Sequence, residues 1–166
     1  PKTYIMSVDC LAKKLVQAGM QVVALRRSQV EVPQGVTLLQ ADITDAVTLQ
    51  PLSDYRFDYV VVTTTAGSRD EAVYRRVYVD GLHNVLTQLA KQREPVQRIV
   101  LASSTSVYGQ SNGEWVDETS ATEPLEFNGR IQLEAEQTAR VSGIATTVVR
   151  FGGTYGPGRE RLIRQV

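Results

Sequence analysis

Short apolar runs rich in β-branched residues alternate along this chain with segments of helical periodicity, and this alternation limits the folds open to it. Val22–Leu25 and Tyr59–Thr63 are almost wholly apolar, as expected for strands covered on both faces. After the second run, apolar residues recur at helical spacing over about Asp70–Lys91, which predicts a long amphipathic helix. Strands that alternate with helices favour βαβ units and a parallel sheet.

The predicted fold is therefore α/β, a doubly wound parallel sheet of the Rossmann type. Right-handed crossovers favour the strand order 3-2-1-4-5-6, and ligands of such sheets bind at the carboxyl ends of the strands. The six predicted strands are Thr3–Met6, Val22–Leu25, Val36–Gln40, Tyr59–Thr63, Arg98–Ala102 and Ala145–Arg150, and the other predicted helices are Leu11–Ala18, Asp45–Leu52 and Asn128–Ser142.

The charge balance and the scarcity of metal ligands exclude several classes of partner. The chain has 18 basic and 18 acidic residues, a formal net charge of zero, which gives no electrostatic reason to expect nucleic acid or a membrane as a partner. No apolar run reaches the roughly 20 residues of a membrane span. Cys10 and His83 are the only cysteine and histidine, so no metal site is predicted. We expect a cytoplasmic location, with Cys10 as a small buried side chain.

Three motifs follow one another over the second half of the chain. Tyr74–Leu86 reads Tyr-x-x-x-Tyr-Val-Asp-Gly-x-x-Asn-Val-Leu, Ser103–Gly109 reads Ser-Ser-Thr-Ser-Val-Tyr-Gly, and Arg150–Gly158 reads Arg-Phe-Gly-Gly-Thr-Tyr-Gly-Pro-Gly. In this order they resemble the extended short-chain dehydrogenase/reductase family, on its atypical branch of NAD(P)-dependent nucleotide-sugar epimerase/dehydratase relatives. The resemblance implies an NAD(P)-binding domain over residues 1–166 and a catalytic role for Ser104. It also places an asparagine where this chain has Tyr78.

The helix that carries the catalytic pair in that family is altered here. The family pattern is Tyr-Gly-x-x-Lys-x-x-Ala-Glu, and this chain keeps Gly129, Ala135 and Glu136 but has Asn128 at the tyrosine position and Gln132 at the lysine position. Neither amide titrates near neutral pH, so neither can act as a general acid or base.

Two functions follow from this altered helix. The first is a dinucleotide-binding protein that resembles the epimerases and dehydratases, with Asn128 and Gln132 in place of the usual pair. Enzymatic activity would then need another acid, for which the candidates are Tyr108, Tyr155 or a carboxylate on the portion that closes over the substrate in the family. The alternative is a non-catalytic dinucleotide-binding sensor or scaffold. The sequence does not decide between an enzyme and such a protein.

The family's glycine-rich turn and its substrate-binding portion are both missing from the sequence. Met6–Cys10 holds no glycine, whereas the family places Gly-x-x-Gly-x-x-Gly there to approach a pyrophosphate. Either the turn is deleted, or it belongs to residues absent from this sequence. We expect the second, because the flanking strand and helix patterns are otherwise normal. The portion that closes over the sugar is likewise expected beyond Leu162–Val166.

Cofactor contacts are expected where the strands end. Arg26 and Arg27 follow the second strand with no acidic residue nearby, and arginine can pair with the extra phosphate of NADP. NADP is therefore slightly favoured over NAD. Asp42 is an adenine-binding candidate by resemblance, although Asp42 or Thr44 could equally cap the next helix. The other candidate cofactor residues are Ile43, Thr64, Thr65, Ala66, Ser103 and Phe151.

The remaining polar and aromatic residues have ordinary interpretations. Glu134 and Glu136 are predicted on a solvated helix face, His83 on the surface, and Tyr108 and Trp115 in buried packing. The expected partners are a small-molecule substrate, with a nucleotide sugar implied by the resemblance, and no nucleic acid or membrane. A homodimer is left open.

Overall fold

A computed structural model describes the backbone of residues 3–5 and all of residues 9–153. Predictions about Met6, the glycine-free turn before α1, Tyr155 and Leu162–Val166 fall outside these residues. The strands are β1 (Thr3–Ile5), β2 (Gln21–Arg26), β3 (Val36–Gln40), β4 (Tyr59–Val62), β5 (Arg98–Ser104) and β6 (Thr146–Phe151). The α-helices are α1 (Asp9–Gln17), α2 (Glu71–Arg75), α3 (Gly81–Leu89) and α4 (Phe127–Arg140), with 3₁₀ helices at Ala46–Asp54 and Thr105–Val107.

All neighbouring strands of the sheet are parallel and lie in the order β3-β2-β1-β4-β5-β6. The predicted α/β fold with a parallel sheet is confirmed. Because the strands run in one direction, their last residues lie along one edge of the sheet, which we call the carboxyl edge. At this edge, Arg26 at the end of β2 pairs with Gln40 of β3, and Ser104 at the end of β5 pairs with Phe151 of β6. This edge is where ligands of such sheets bind.

The core lies between the sheet and helices α3 and α4. Ile99 of β5, Ile131 of α4 and Leu82 of α3 are each at most 2% exposed, and each such side chain stabilises the fold by about 1.5–3 kcal/mol. Burial in β5 alternates, with Ile99, Leu101 and Ser103 on the buried face. The strand is longer than predicted, so Ser103 and Ser104 are strand residues rather than the start of a loop.

The helical region predicted over Asp70–Lys91 consists of α2, a π-helical turn at Arg76–Asp80, and α3. Gly81 begins α3, and a Cβ there would lie 2.8 Å from Cγ1 of Ile43, so a larger residue would require the Ile43 side chain to shift. Asn84 Nδ2 donates to the Ile43 carbonyl at 2.9 Å. The spacing of apolar residues could not reveal the π-helical turn. Such a turn adds only one residue to one turn of the helix, and this leaves the overall helical pattern of apolar residues almost unchanged.

Several local expectations are corrected. Asp45, rather than Asp42 or Thr44, caps the Ala46–Asp54 helix, since its carboxylate accepts the Val47 N–H at 3.0 Å. Cys10 is exposed, because Ala12 is the residue that α1 buries against the rest of the protein. Trp115 is fully exposed, in a loop that offers no helix or strand to cover it. His83 is exposed, as predicted.

Within the described residues, no helix is both long and apolar enough to cross a lipid bilayer.

Candidate functional site

Ser104 ends β5 at the carboxyl edge and shapes the turn that follows. Its half-buried side chain accepts the Ser106 N–H at 3.1 Å, which caps the 3₁₀ helix Thr105–Val107. The hydroxyl proton is not used in that contact, so Ser104 can still donate a hydrogen bond to a ligand. Ser104 is thus both a strand-end cap, as its residue type allows, and a polar group available at the edge.

The start of α4 is held against this turn by Gly129. A Cβ on Gly129 would lie 2.1 Å from the Ser106 carbonyl oxygen and 2.7 Å from Pro124 Cβ. The preceding residue, Asn128, is therefore carried close to the turn that Ser104 caps. Only a residue without a side chain allows this approach.

Two buried polar atoms near this contact have no hydrogen-bond partner among the described residues, Asn128 Oδ1 and Ser106 Oγ. A buried polar atom left unpaired costs about 1–3 kcal/mol, so a water molecule or a polar ligand that pairs with these atoms would be bound favourably. Gln132 lies one turn further along α4 and is 7% exposed. The α4 helix thus carries two neutral amides, Asn128 and Gln132, whose role in a site stays a prediction.

The main correction to the sequence-based predictions concerns Glu136. It was predicted on a solvated helix face, but its side chain is completely buried. Ser103 Oγ donates to Glu136 Oε1 at 2.7 Å, Arg150 binds both carboxylate oxygens at 3.0 and 2.8 Å, and Arg140 binds Oε2 at 3.1 Å. We call these four residues the Glu136 cluster. It ties α4 to the ends of β5 and β6.

Electrostatics in the Glu136 cluster keep both main partners charged. Burial alone would raise the pKa of Glu136, but the hydrogen bonds from Arg150 and Ser103 and the charges of Arg150 and Arg140 hold that pKa below its ordinary value. The hydrogen bond to Glu136 raises the pKa of Arg150. The signal in the sequence was Arg150 itself, since a charged residue within a strand rarely becomes buried without a partner.

Tyr108 is also engaged rather than available as an acid. Its hydroxyl donates to the Asp117 carbonyl at 2.7 Å and accepts from Arg150 Nη1 at 2.9 Å, and the Arg150 guanidinium carbon lies 5.0 Å from the centre of its ring. Tyr108 is half-buried, with its polar end held by the Glu136 cluster. It therefore fixes the loop after β5 instead of supplying a proton.

The two arginines after β2 differ in their surroundings. Arg26 forms an ion pair with Asp9, at the first described residue of α1, while its Nε is buried without a partner among the described residues. Arg27 is exposed. Burial alone would raise the pKa of Asp42, but two hydrogen bonds from Thr44 and the charges of Arg27 and Arg76 hold that pKa below its ordinary value.

The remaining candidate cofactor residues also lie along the carboxyl edge. Ile43 follows β3, and its carbonyl is occupied by Asn84. Thr64 and Ala66 are half-buried and Thr65 is exposed after β4, and the Ala66 N–H donates to the hydroxyl of Tyr78 at 3.4 Å. Phe151 is half exposed at the end of β6. Sequence reasoning did not place Tyr78 beside this edge, because its position on the π-turn could not be predicted.

Among the residues that the structure describes, no group of three or more His, Cys, Asp or Glu side chains is placed to hold a metal ion.

This chain is similar to a known protein family and to a protein of Escherichia coli. The model of the NAD dependent epimerase/dehydratase family matches residues 9–166. Protein YeeZ of Escherichia coli strain K12 is 32% identical over 121 residues, which cover 70% of this chain and 40% of YeeZ.

Two solved structures match this chain over most of its length. A structure from Methylobacillus flagellatus, provisionally assigned as an NAD-dependent epimerase/dehydratase, is 37% identical with a TM-score of 0.78, and the match covers 99% of this chain and 58% of that one. MoeE5 in complex with UDP-glucose and NAD is 25% identical with a TM-score of 0.78, over 99% of this chain and 60% of that one. The chain thus spans between 40% and 60% of the length of these relatives.

Proposed function

The chain belongs to the NAD-dependent epimerase/dehydratase family, and from this we propose that it is the dinucleotide-binding part of a protein that binds NAD or NADP and a nucleotide sugar. MoeE5, which shares the fold over 99% of this chain, is solved with UDP-glucose and NAD. In the intact protein, the strand order 3-2-1-4-5-6 would place the dinucleotide across the carboxyl edge at β1 and β4.

The observation that carries the proposal is where the unpaired buried atoms lie. The three such side-chain atoms found among the described residues are Arg26 Nε, Ser106 Oγ and Asn128 Oδ1, and all three belong to segments at the carboxyl ends of β2 and β5 or to the helix start packed against them. A dinucleotide has phosphates and sugar hydroxyls along its length, so it offers acceptors to the arginine and donors to the amide oxygen. The residues present therefore fit such a ligand.

The described residues support binding and orientation better than proton transfer. A bound nicotinamide would supply hydride transfer. Ser104 would donate a hydrogen bond to a substrate oxygen, and the amides of Asn128 and Gln132 would position sugar hydroxyls. Arg26, Arg27 and Asp42 would contact the adenosine end, with Ile43, Thr64, Thr65 and Ala66 along the edge and Ser103 and Phe151 beside Ser104.

A second function is favoured by the same helix. Both positions of the usual catalytic pair carry amides that cannot act as a general acid or base near neutral pH, and Tyr108, a candidate replacement, is held by Arg150 and Asp117. A non-catalytic sensor or scaffold that binds the dinucleotide is therefore the alternative to an enzyme.

A binding titration on the full-length protein tests the proposed function. NADH and NADPH are titrated separately, and turnover is then measured with a panel of nucleotide sugars. Binding without turnover favours the sensor or scaffold, whereas binding with turnover favours the enzyme. If neither NADH nor NADPH binds at millimolar concentration, the proposed function is wrong.

Replacing Arg27 with alanine should weaken NADPH binding about tenfold and NADH binding less than twofold, because a charge-assisted hydrogen bond to the extra phosphate contributes about 1.5 kcal/mol. Arg26→Ala should also weaken NADPH binding more than NADH binding, but by a smaller factor, because Arg26 is already paired with Asp9. Arg98→Ala is the control, because Arg98 starts β5 at the opposite edge and bonds Thr147. If Arg27→Ala weakens the binding of NADPH and NADH equally, the argument for a preference for NADP is removed.

Asn128→Ala and Gln132→Ala should each weaken dinucleotide binding by no more than about tenfold, the effect of one neutral hydrogen bond. Any turnover of the full-length protein should survive both changes, because an amide supplies no proton. The measurement is kcat for each variant beside its dissociation constant for NADH. A fall in kcat of several orders of magnitude with binding intact would show that these amides take part in the chemistry.

A further inference from the structure

Tyr78 reaches from the π-helical turn at Arg76–Asp80 to the loop after β4. Its hydroxyl oxygen accepts the Ala66 N–H at 3.4 Å, which leaves the hydroxyl proton free to donate. No residue in the described part of the chain accepts that proton. The hydroxyl thus lies beside the backbone of the carboxyl edge with one hydrogen-bonding function unused.

The position of the Tyr78 ring is set by neighbours on two helices. The Tyr74 ring lies 5.1 Å from the Tyr78 ring, and Phe127 meets Tyr74 edge-on at 5.5 Å. Phe127 immediately precedes Asn128. We call Tyr78, Tyr74 and Phe127 the aromatic row. It runs from the loop after β4 to the start of α4, so it joins two segments of the proposed binding edge.

The backbone around Tyr78 is also anchored to the edge. Gly81, at the end of the π-turn, packs against the Ile43 side chain, and Asn84 binds the Ile43 carbonyl. π-helical turns are rare and occur frequently at functional sites. These contacts hold the turn between the loops that follow β3 and β4, so the Tyr78 hydroxyl has little freedom to move away.

The chemistry of this hydroxyl indicates what it can bind. Burial raises the pKa of Tyr78, with smaller effects from the Ala66 N–H and from Tyr74, so the side chain stays protonated and neutral near pH 7. A neutral donor is a poor match for a phosphate, which is bound better by cations and by several N–H groups. A sugar hydroxyl, which accepts one hydrogen bond and donates another, is the better match.

We propose that Tyr78 is a ligand-binding residue whose hydroxyl donates a hydrogen bond to a ribose hydroxyl of the dinucleotide at the end of β4. This inference rests on the proposed function and adds a residue to its site. The hydroxyl would then bridge the ligand and the Ala66 N–H, with the aromatic row keeping its ring in place. Tyr78 is assigned no proton transfer.

The test compares Tyr78→Phe with Tyr74→Phe in the full-length protein. Both changes remove one hydroxyl and keep the ring, so the packing of the aromatic row is retained in each. Tyr78→Phe should weaken NADH and NADPH binding equally, by about three- to tenfold, the effect of one neutral hydrogen bond. Tyr74→Phe should leave both dissociation constants within twofold of wild type.

Each other result overturns the inference in a recognisable way. An unchanged dissociation constant for Tyr78→Phe would show that the hydroxyl does not touch the ligand. Equal weakening in both variants would show an effect of packing rather than of a ligand contact. If wild-type protein binds neither NADH nor NADPH, the proposed function fails first and this inference fails with it.

Discussion

Replacing Glu136 with glutamine is expected to lower the free energy of unfolding by about 3–5 kcal/mol. The change leaves Arg150, whose side chain is only 14% exposed, without its negatively charged partner. It also places an amide nitrogen against the guanidinium groups of Arg150 or Arg140, and removing one partner of a buried pair costs far more than the pair contributes. Denaturant unfolding of the full-length protein, followed by circular dichroism, measures the loss.

Glu134→Gln is the matched control on the same helix. Glu134 binds Arg75 through both of its carboxylate oxygens, but both side chains are more than 40% exposed. Exposed ion pairs contribute about 1 kcal/mol or less, so this variant should unfold close to wild type. A loss for Glu136→Gln no larger than that for Glu134→Gln would contradict the structural role of the Glu136 cluster.

The pH dependence of stability gives an independent check on Glu136. Its pKa in the folded protein lies below the ordinary value of 4.5, so its contribution to stability is fully present above pH 4.5 and is lost as the pH falls through the folded value. The difference in unfolding free energy between wild type and Glu136→Gln should therefore shrink as the pH falls below 4.5. A difference that stays constant down to pH 3 would show that the folded protein does not lower the pKa of Glu136.

Gly129→Ala is expected to destabilise the protein by about 3 kcal/mol or more. The new Cβ would lie 2.1 Å from the Ser106 carbonyl oxygen, and a backbone atom within a capped turn cannot move aside as a flexible side chain can. The start of α4 must then shift away from the turn, which separates Asn128 from Ser104. Unfolding free energy and NADH affinity should therefore fall together, and both are measured on the full-length protein.

Gly67→Ala serves as the control for this substitution. No atom lies within 4 Å of a Cβ built on Gly67, and its φ is not positive. It should change the free energy of unfolding by less than about 1 kcal/mol. A Gly129→Ala protein as stable as Gly67→Ala would show that α4 does not need this close approach.

Tyr78 shows how far a sequence pattern reaches into the site. Apolar spacing over Asp70–Lys91 predicted a helix in the right place, and the resemblance of the motif Tyr74–Leu86 to the family identified Tyr78 as a departure from asparagine. The pattern could not show that the helix widens at Arg76–Asp80 or that the tyrosine hydroxyl meets Ala66. Both depend on how the helix packs against loops from other parts of the chain.

For Glu136, the prediction from the sequence was wrong, because the residue is buried rather than solvated. Glutamate on a helix is usually solvated, so the ordinary interpretation placed Glu136 beside Glu134 in water. The two residues are two positions apart and therefore face different directions on α4. Glu136 faces Arg150 and Ser103, which are distant in sequence and meet it only because β5 and β6 are neighbours in the sheet.

The sequence by itself determined the class of fold and the approximate bounds of the strands and helices, and it led to the hypothesis that Asn128 and Gln132 occupy the positions of the family's catalytic pair. These follow from residue periodicity and local motifs, which are properties of neighbouring residues. The tertiary structure alone decided that Glu136 is buried and charged, that Tyr108 is held by hydrogen bonds, and that Gly129 presses α4 against Ser106. Each of these depends on contacts between segments far apart in the chain, and burial and pairing are set by such contacts rather than by local sequence.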